Sequence, residues 1–488
     1  MTAAHMMGTT NILALAAVTS VAVLIHLLFL HIYLKLFCDD KPYACFRIVG
    51  GDEKGWFNGD ILERWQRDAG GLIKQGFLET QGGPFQLMSS QGPLVILPPS
   101  LVNHVLMDSR LSFAGGLERL GLKALPGIGR AHTECQREIV FGTVLKPMTR
   151  ASTALTETLS AEAEKAISEL FPVDESKWQS TDFATPARLV VTRVSAVLFV
   201  GPNLAHNVEW QEIAQSFASI ATEAELARRR WPVFMRRFLD GFLQEPRKLK
   251  DLVDRARRLI DHELATRNRS MTSIGAPNYY DRDCLDWFEQ LRGDGEFDVV
   301  FGQLFLVAAG THNVSLTMTS LMYDLLLHPE LIHDLRAEAV KVITESGWTK
   351  SSLDKLRLLD SCMRETQRYR ITDPVLYRRA EEPVTLPDGT FLAKGTHTAF
   401  PSPRALGAPG DKFHCGRVMA VRTPEMETRS QFSSTGLDYL SMGHGRTACP
   451  GRFFASVEIK ICFVHLLLKY DWKAVGQIPL GAEVREKA

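Results

Sequence analysis

Residues 441–455 read SMGHGRTACPGRFFA, and the rest of the chain is best read outward from them. Gly443, Gly445 and Gly451 surround Cys449, with Pro450 directly after it. Glycines so placed let a backbone approach a flat ligand closely, because no side chain intervenes. Downstream, Phe453 to Trp472 (FFASVEIKICFVHLLLKYDW) carries a helical apolar pattern. Cys449 therefore stands at a predicted helix amino terminus, where unpaired N–H groups and the helix dipole favour a thiolate. A cysteine by itself is more often a small buried hydrophobe than a ligand. These glycines and this helix tip the balance toward a ligand.

Upstream, Glu365-Thr366-Gln367-Arg368 puts opposite charges at i and i+3 on one helix face, a pattern that many surface helices share. Val299 to Leu327, beginning VVFGQLFLVAAGTHNVSLTMTS, is apolar on most faces and predicts a buried helix. At its middle, Ala309 and Gly310 precede Thr311, His312, Asn313 and Ser315. Two small residues there leave room for a ligand against the backbone, and buried polar groups must find partners or bind something. Residues 207–265 predict two or three helices, whose Arg228–Arg230 and Arg236-Arg237 around Trp231-Pro232 read as a solvated face. Strand patterns fall at Pro84–Met88, Leu94–Leu97 and Val384–Thr398, the last with an Asp388-Gly389 turn.

The 488 residues carry 56 basic and 56 acidic side chains, so no positive excess points to nucleic acid. Apolar residues at 45% and charged ones at 23% exclude disorder. Eight cysteines, at 38, 45, 135, 284, 362, 415, 449 and 462, include no CxxC pair. That spacing argues for a reducing compartment, against a disulfide scaffold and against structural zinc. Asn11 to Leu34 runs 24 positions without a formal charge, enough to span a bilayer. A cleaved signal peptide fits less well, since nothing basic precedes the run. The expected layout is a tail at 1–10, a transmembrane anchor at 11–37 and one catalytic domain at 38–488. Lys35 and Lys41 follow the anchor, which places that domain on the cytosolic side.

The string MGHGRTACPG resembles the haem-binding loop of the cytochrome P450 family, Phe-x-x-Gly-x-x-x-Cys-x-Gly, with Met442 in place of the usual Phe. LDSCMRETQR, TLPDGTFLAKGTH and GHGRTACPGRFFA look like its membrane-bound, filamentous-fungal branch. The resemblance implies a mainly α fold with small β-sheets behind one N-terminal transmembrane helix. It implies haem held by Cys449 as axial thiolate, with Gly443, Gly445 and Gly451 around it. Propionate contacts would come from Arg378 (or Arg379), from Arg446 beside the departing Thr447, and from His132 or Arg137. Glu365, Arg368 and Arg417 would form a buried ion-pair network. In the distal helix the family's acid and alcohol are replaced by His312 and Asn313, with Thr311 or Ser315 as further candidates for a proton relay. Leu304, Val307, Ala308, Val375, Leu376 and the 113–129 loop would line the substrate pocket, and the terminal hairpin would be shortened or absent.

The implied activity is a monooxygenase oxidising a hydrophobic small molecule in fungal secondary metabolism, on the endoplasmic reticulum membrane. Electrons would come from NADPH through a cytochrome P450 reductase. The His312-Asn313 departure leaves open a rearrangement, desaturation or cleavage, and a membrane-tethered haem protein without turnover is the reading from another class.

Overall fold

The computed structural model describes residues 19–26, 28–29, 42–50, 59–89, 91–118, 134–171, 177–231, 233–274, 282–293, 297–371, 374–407, 412–420, 423, 427–437, 439–475 and 481–486. Of the predicted anchor, 19–26 and 28–29 are helical with Leu24, Ile25 and Phe29 exposed. The rest of 11–37, the 1–10 tail, the 119–129 part of the expected pocket loop and His132 lie outside the described residues, as does the side chain of Arg137.

Helices carry the site: α1 (Phe113–Glu118), α2 (Glu134–Thr143), α3 (Ala184–Phe199), α4 (Val208–Arg229), α5 (Val299–Leu326), α6 (Arg357–Arg370) and α7 (Arg452–Lys469). α5 starts where Asp298 Oδ1 accepts from the Val300 and Phe301 amides at 3.0 and 3.2 Å, capping donors the helix cannot satisfy itself. It is long and apolar enough to cross a membrane, but most of it is buried inside the protein, as the all-round apolar pattern predicts. It packs against α3, α4, α6 and α7. Leu304, Met318, Leu321 and Leu325 on it are fully buried, each worth about 1.5–3 kcal/mol relative to exposure.

Among the described residues, ten strands form three small sheets: β1 (Phe85–Ser89), β2 (Gly92–Ile96), β3 (Leu111–Ser112), β4 (Gln179–Thr181), β5 (Val375–Ala380), β6 (Val384–Thr385), β7 (Phe391–Leu392), β8 (His397–Phe400), β9 (Tyr470–Val475) and β10 (Gly481–Glu486). The first sheet has the order β1-β2-β8-β5-β3, the second β4-β10-β9 and the third β6-β7. Gly389 closes the β6–β7 hairpin at φ +85°, as its sequence predicts.

Three expectations change. The helix expected to run to Trp472 stops at Lys469, because Tyr470–Val475 turns extended and pairs with β10 from Gly481↔Val475 to Glu486↔Tyr470. That terminal strand pair leaves only residues 476–480 between its strands, and these lie outside the described residues. The basic cluster is no plain solvated face. Arg228 is 4% exposed and bonds Asp240 at 2.6 Å and Glu225 at 3.3 Å, while Arg229 holds Glu225 at 2.8 Å. Finally, Cys362 of α6 and Cys415 are joined as a disulfide with Cα atoms 4.8 Å apart, which their wide spacing did not announce.

Candidate active site

The loop ahead of α7 is shaped by its own backbone. The Cys449 amide donates to the Met442 carbonyl at 2.7 Å and the Gly443 amide to the Leu440 carbonyl at 2.9 Å. Gly443 has φ +72°, and a Cβ there would stand 2.8 Å from the Thr447 carbonyl oxygen. Gly445 has φ +60° with nothing within 4 Å of a Cβ, so only its left-handed backbone calls for glycine. Gly451 has an ordinary φ of −82°, and a Cβ would meet only Val144 Cγ1 at 3.6 Å. Protein packing does not require glycine at 451; a ligand lying against that backbone would.

Cys449 is solvent-accessible yet closely surrounded by protein, as a side chain facing an internal cleft would be. Burial pushes its thiol pKa up, while the Gly451 and Arg452 amides and the Arg452 guanidinium pull it down. A helix terminus alone favours the thiolate, but desolvation outweighs it here. Bonding to a metal ion would deprotonate such a thiol outright.

Arg378 lies on β5, 1% exposed. Its Nη2 donates to Thr447 Oγ1 at 2.6 Å, its Nη1 to the Tyr377 carbonyl at 2.8 Å, and its guanidinium sits 5.3 Å from the Phe113 ring centre. No carboxylate pairs with it among the described residues, and burial alone pulls its pKa down to about 10, so it stays charged at neutral pH. A buried cation without a counter-ion is costly. A group with carboxylate edges, as haem has, would answer that charge, and Cys449 would supply its sulfur ligand. Arg379 instead pairs with Glu381 at 2.9 Å, and Arg446 stands exposed on the Gly445–Thr447 turn. β5 reaches Arg378 through an irregular register after Val375, with Leu376 in the left-handed region at φ +58°.

The distal helix departs from its expected reading in detail. On α5 the positions that are not fully buried include Phe305, Ala308, Ala309, His312, Asn313, Leu316 and Thr317, a stripe at helical spacing. Leu304 and Val307 are 0% and 3% exposed and lie on the packed side, as does Thr311 at 3%. Helical phase, which apolar composition conceals, separates them from the stripe. Gly310 does not make room for a ligand: a Cβ there would stand 2.9 Å from Cζ of Phe199. That ring lies 5.9 Å from Phe454 of α7, so glycine lets α5 close onto α3 and α7. Asn313 Nδ2 donates to the Ala309 carbonyl at 2.9 Å, and Ser315 Oγ to the His312 carbonyl at 3.0 Å.

Glu365 and Arg368 form a fork-to-fork pair with both N···O distances 2.7 Å, Glu365 being fully buried. Glu365 also accepts from the His414 amide at 3.1 Å and faces Arg417 Nε at 3.5 Å, but Arg417 is half-exposed, so the network expected to be buried is open on that side. Thr447, which the resemblance marks as a departure at the family's propionate position, supplies the hydroxyl that meets Arg378. One further residue escapes a reading of the sequence. Asp360 meets Lys460 Nζ at 2.6 Å in the core, across a spacing that carries no periodic signal.

The Cytochrome P450 family profile matches residues 55–480. Cytochrome P450 monooxygenase hepE of Aspergillus oryzae is 34% identical over 426 residues, covering 85% of this chain and 78% of that protein. Cytochrome P450 monooxygenase easM of Aspergillus fumigatus is 31% identical over 476 residues, 93% of this chain and 89% of its own. Dihydro-ML-236C monooxygenase mlcC of Penicillium citrinum is 33% identical over 406 residues, with coverages of 80% and 77%. Among solved structures, the cytochrome P450DA haem domain superposes with a TM-score of 0.64 over 92% of this chain and 98% of its own. At 17% identity that likeness speaks for the fold.

Proposed function

Because the chain belongs to the cytochrome P450 family and is a haem-dependent monooxygenase, we propose that it oxidises a hydrophobic small molecule of fungal secondary metabolism while tethered to a membrane. Electrons reach it from NADPH through a cytochrome P450 reductase. Haem on a cysteine thiolate is the family's cofactor and supplies activation of molecular oxygen.

The residues divide the remaining work. Cys449 would offer its sulfur to the haem, with Gly445 and Gly451 adding no side chain nearby, and Arg378 with Thr447 would hold a propionate. Phe305, Ala308 and Ala309 give the substrate an apolar wall that excludes water. His312, exposed on the same face, offers a ring nitrogen that can pass a proton between water and the site. Asn313 does not titrate; its Nδ2 is spent on the Ala309 carbonyl, leaving Oδ1 to accept from a water.

The observation that carries this reading is the buried, carboxylate-free Arg378 beside the Cys449 loop. The test is spectroscopic and then chemical. Cys449→Ala should abolish the Soret band of the reduced, carbon-monoxide-bound haem-thiolate form; its persistence would refute the ligand assignment. Product formation from a terpenoid and polyketide panel should require both NADPH and reductase. Turnover without them would instead favour rearrangement, for which the non-titrating Asn313 is the supporting observation.

A further inference from the structure

Asn313 is tied to the thiolate loop by a chain of side chains that the family motifs do not contain. Tyr439, three residues ahead of Met442 and 1% exposed, donates its hydroxyl to Gln367 Oε1 at 2.6 Å. In this arrangement Gln367 Nε2 faces α5 and donates to Thr317 Oγ1 at 3.4 Å. Thr317 Oγ1 in turn donates to the Asn313 carbonyl at 2.9 Å. Asn313 Nδ2 continues the run to the Ala309 carbonyl. Two successive side-chain bonds to carbonyls four residues back fall on the open stripe. Such bonds compete with the helix's own ladder and bend it. With Nε2 pointing at Thr317 Oγ1, the hydroxyl proton must aim at Asn313, so one rotamer is selected.

The contact is not needed to hold the helices together. Farther along, Asp324 of α5 accepts from Thr366 Oγ1 at 2.9 Å and from Arg370 Nε and Nη2 at 2.8 and 2.6 Å. That buried clamp already fastens α6 to α5. Gln367 therefore has a local effect to offer, confined to the turn that carries His312 and Asn313.

We propose that Gln367 is a positioning residue, linking the segment ahead of the thiolate loop through Tyr439 to the Ala309–Thr317 turn through Thr317, and so holding that turn in the geometry described above. This rests on the monooxygenase reading for its consequence but not for its structural core, and the experiment separates the two. In the full-length holoprotein, Gln367→Met, Gln367→Glu and Thr317→Val are compared with Thr317→Ser, which keeps the hydroxyl. Glutamate still accepts from Tyr439 but cannot donate to Thr317, so it isolates the α5 end of the chain. Amide hydrogen exchange at 309–317 should quicken about fivefold in the first three variants and stay near wild type in Thr317→Ser. The reduced carbon-monoxide band should not move in any variant, nor the thermal midpoint in Gln367→Glu and Thr317→Val; only Gln367→Met, which strands the buried Tyr439 hydroxyl, should lose a few degrees. With NADPH and reductase but no substrate, peroxide release should rise about threefold in the same three variants.

Unchanged exchange at 309–317, or exchange that quickens all along α5 and α6 with a falling midpoint, overturns the proposal. Localised quickening without any NADPH consumption upholds the positioning chain and overturns the monooxygenase reading.

Discussion

Arg378 and Glu458 are both buried ionisable groups without a full set of partners, and they make opposite demands. Arg378 holds a charge that calls for an anion. Replacing it by Gln should quicken haem loss roughly 30-fold, about 2 kcal/mol for a charge-assisted contact, with Arg378→Lys in between; haem transfer to a globin apoprotein measures it. Retention equal to wild type would remove Arg378 from the propionate. Glu458 on α7 accepts from Ser195 Oγ at 2.6 Å, but its Oε2 finds no partner among the described residues. Burial pushes its pKa up to about 8, with the Ser195 bond pulling the other way. The unfolded value is about 4.3. Stability linked to this group is therefore complete below that value and is lost as pH rises through the folded value. Thermal midpoints taken between pH 5 and 8.5 should fall toward the alkaline end. Glu458→Gln should flatten that fall and raise the midpoint at pH 8 by about 2 °C or more.

At the level of elements, the loop 441–451 separates two reasons for glycine that look identical in sequence. Gly443→Ala would force a left-handed backbone and also drive Cβ to 2.8 Å from the Thr447 carbonyl, costing about 3 kcal/mol or more. Gly445→Ala pays only the left-handed conformation, about 1 kcal/mol, because nothing lies near its Cβ. Haem content and thermal midpoint of the two variants should rank in that order; equal losses would mean the loop relaxes around the methyl added at position 443. The same contrast shows what sequence could convey. The buried rod α5 was legible from its apolar run, whereas the loop and the Glu365–Arg368 pair drew their weight from the family resemblance, the charge spacing alone being common to many surface helices. The phase of the open stripe was not legible, since Leu304 and Ala309 are both simply apolar or small in a helix that is apolar nearly all round. Nor could composition reveal that Gly310 yields to Phe199, a contact across 111 positions of chain.

Across the whole molecule, α6 is the common fastening, and most of its contacts are polar residues that one-dimensional reading assigns to a solvated face. Over 14 residues it reaches α7 through Asp360, Cys415 through Cys362, the carbonyls of Arg429 and Gln431 through Arg364, and α5 through Thr366 and Arg370. The Asp360–Lys460 pair is its most buried ionic link, at 1% and 3% side-chain exposure. Asp360 Oδ2 also accepts from the Phe432 amide at 2.8 Å, and Lys460 Nζ donates to the Leu353 carbonyl at 3.1 Å. Both ions therefore have further partners, the condition under which a buried pair is tolerated. Removing one partner leaves the other charged and desolvated beside the segment that leads to the thiolate loop. Lys460→Met should cost about 3–5 kcal/mol, seen as a lower thermal midpoint and reduced haem content in the purified protein. Adding Asp360→Leu removes the stranded carboxylate and should restore a substantial part of the midpoint, because the penalty lies in the orphaned charge rather than in the lost attraction. If the double variant is as unstable as Lys460→Met alone, the link between α6 and α7 is specific to the ion pair and the orphaned-charge account fails.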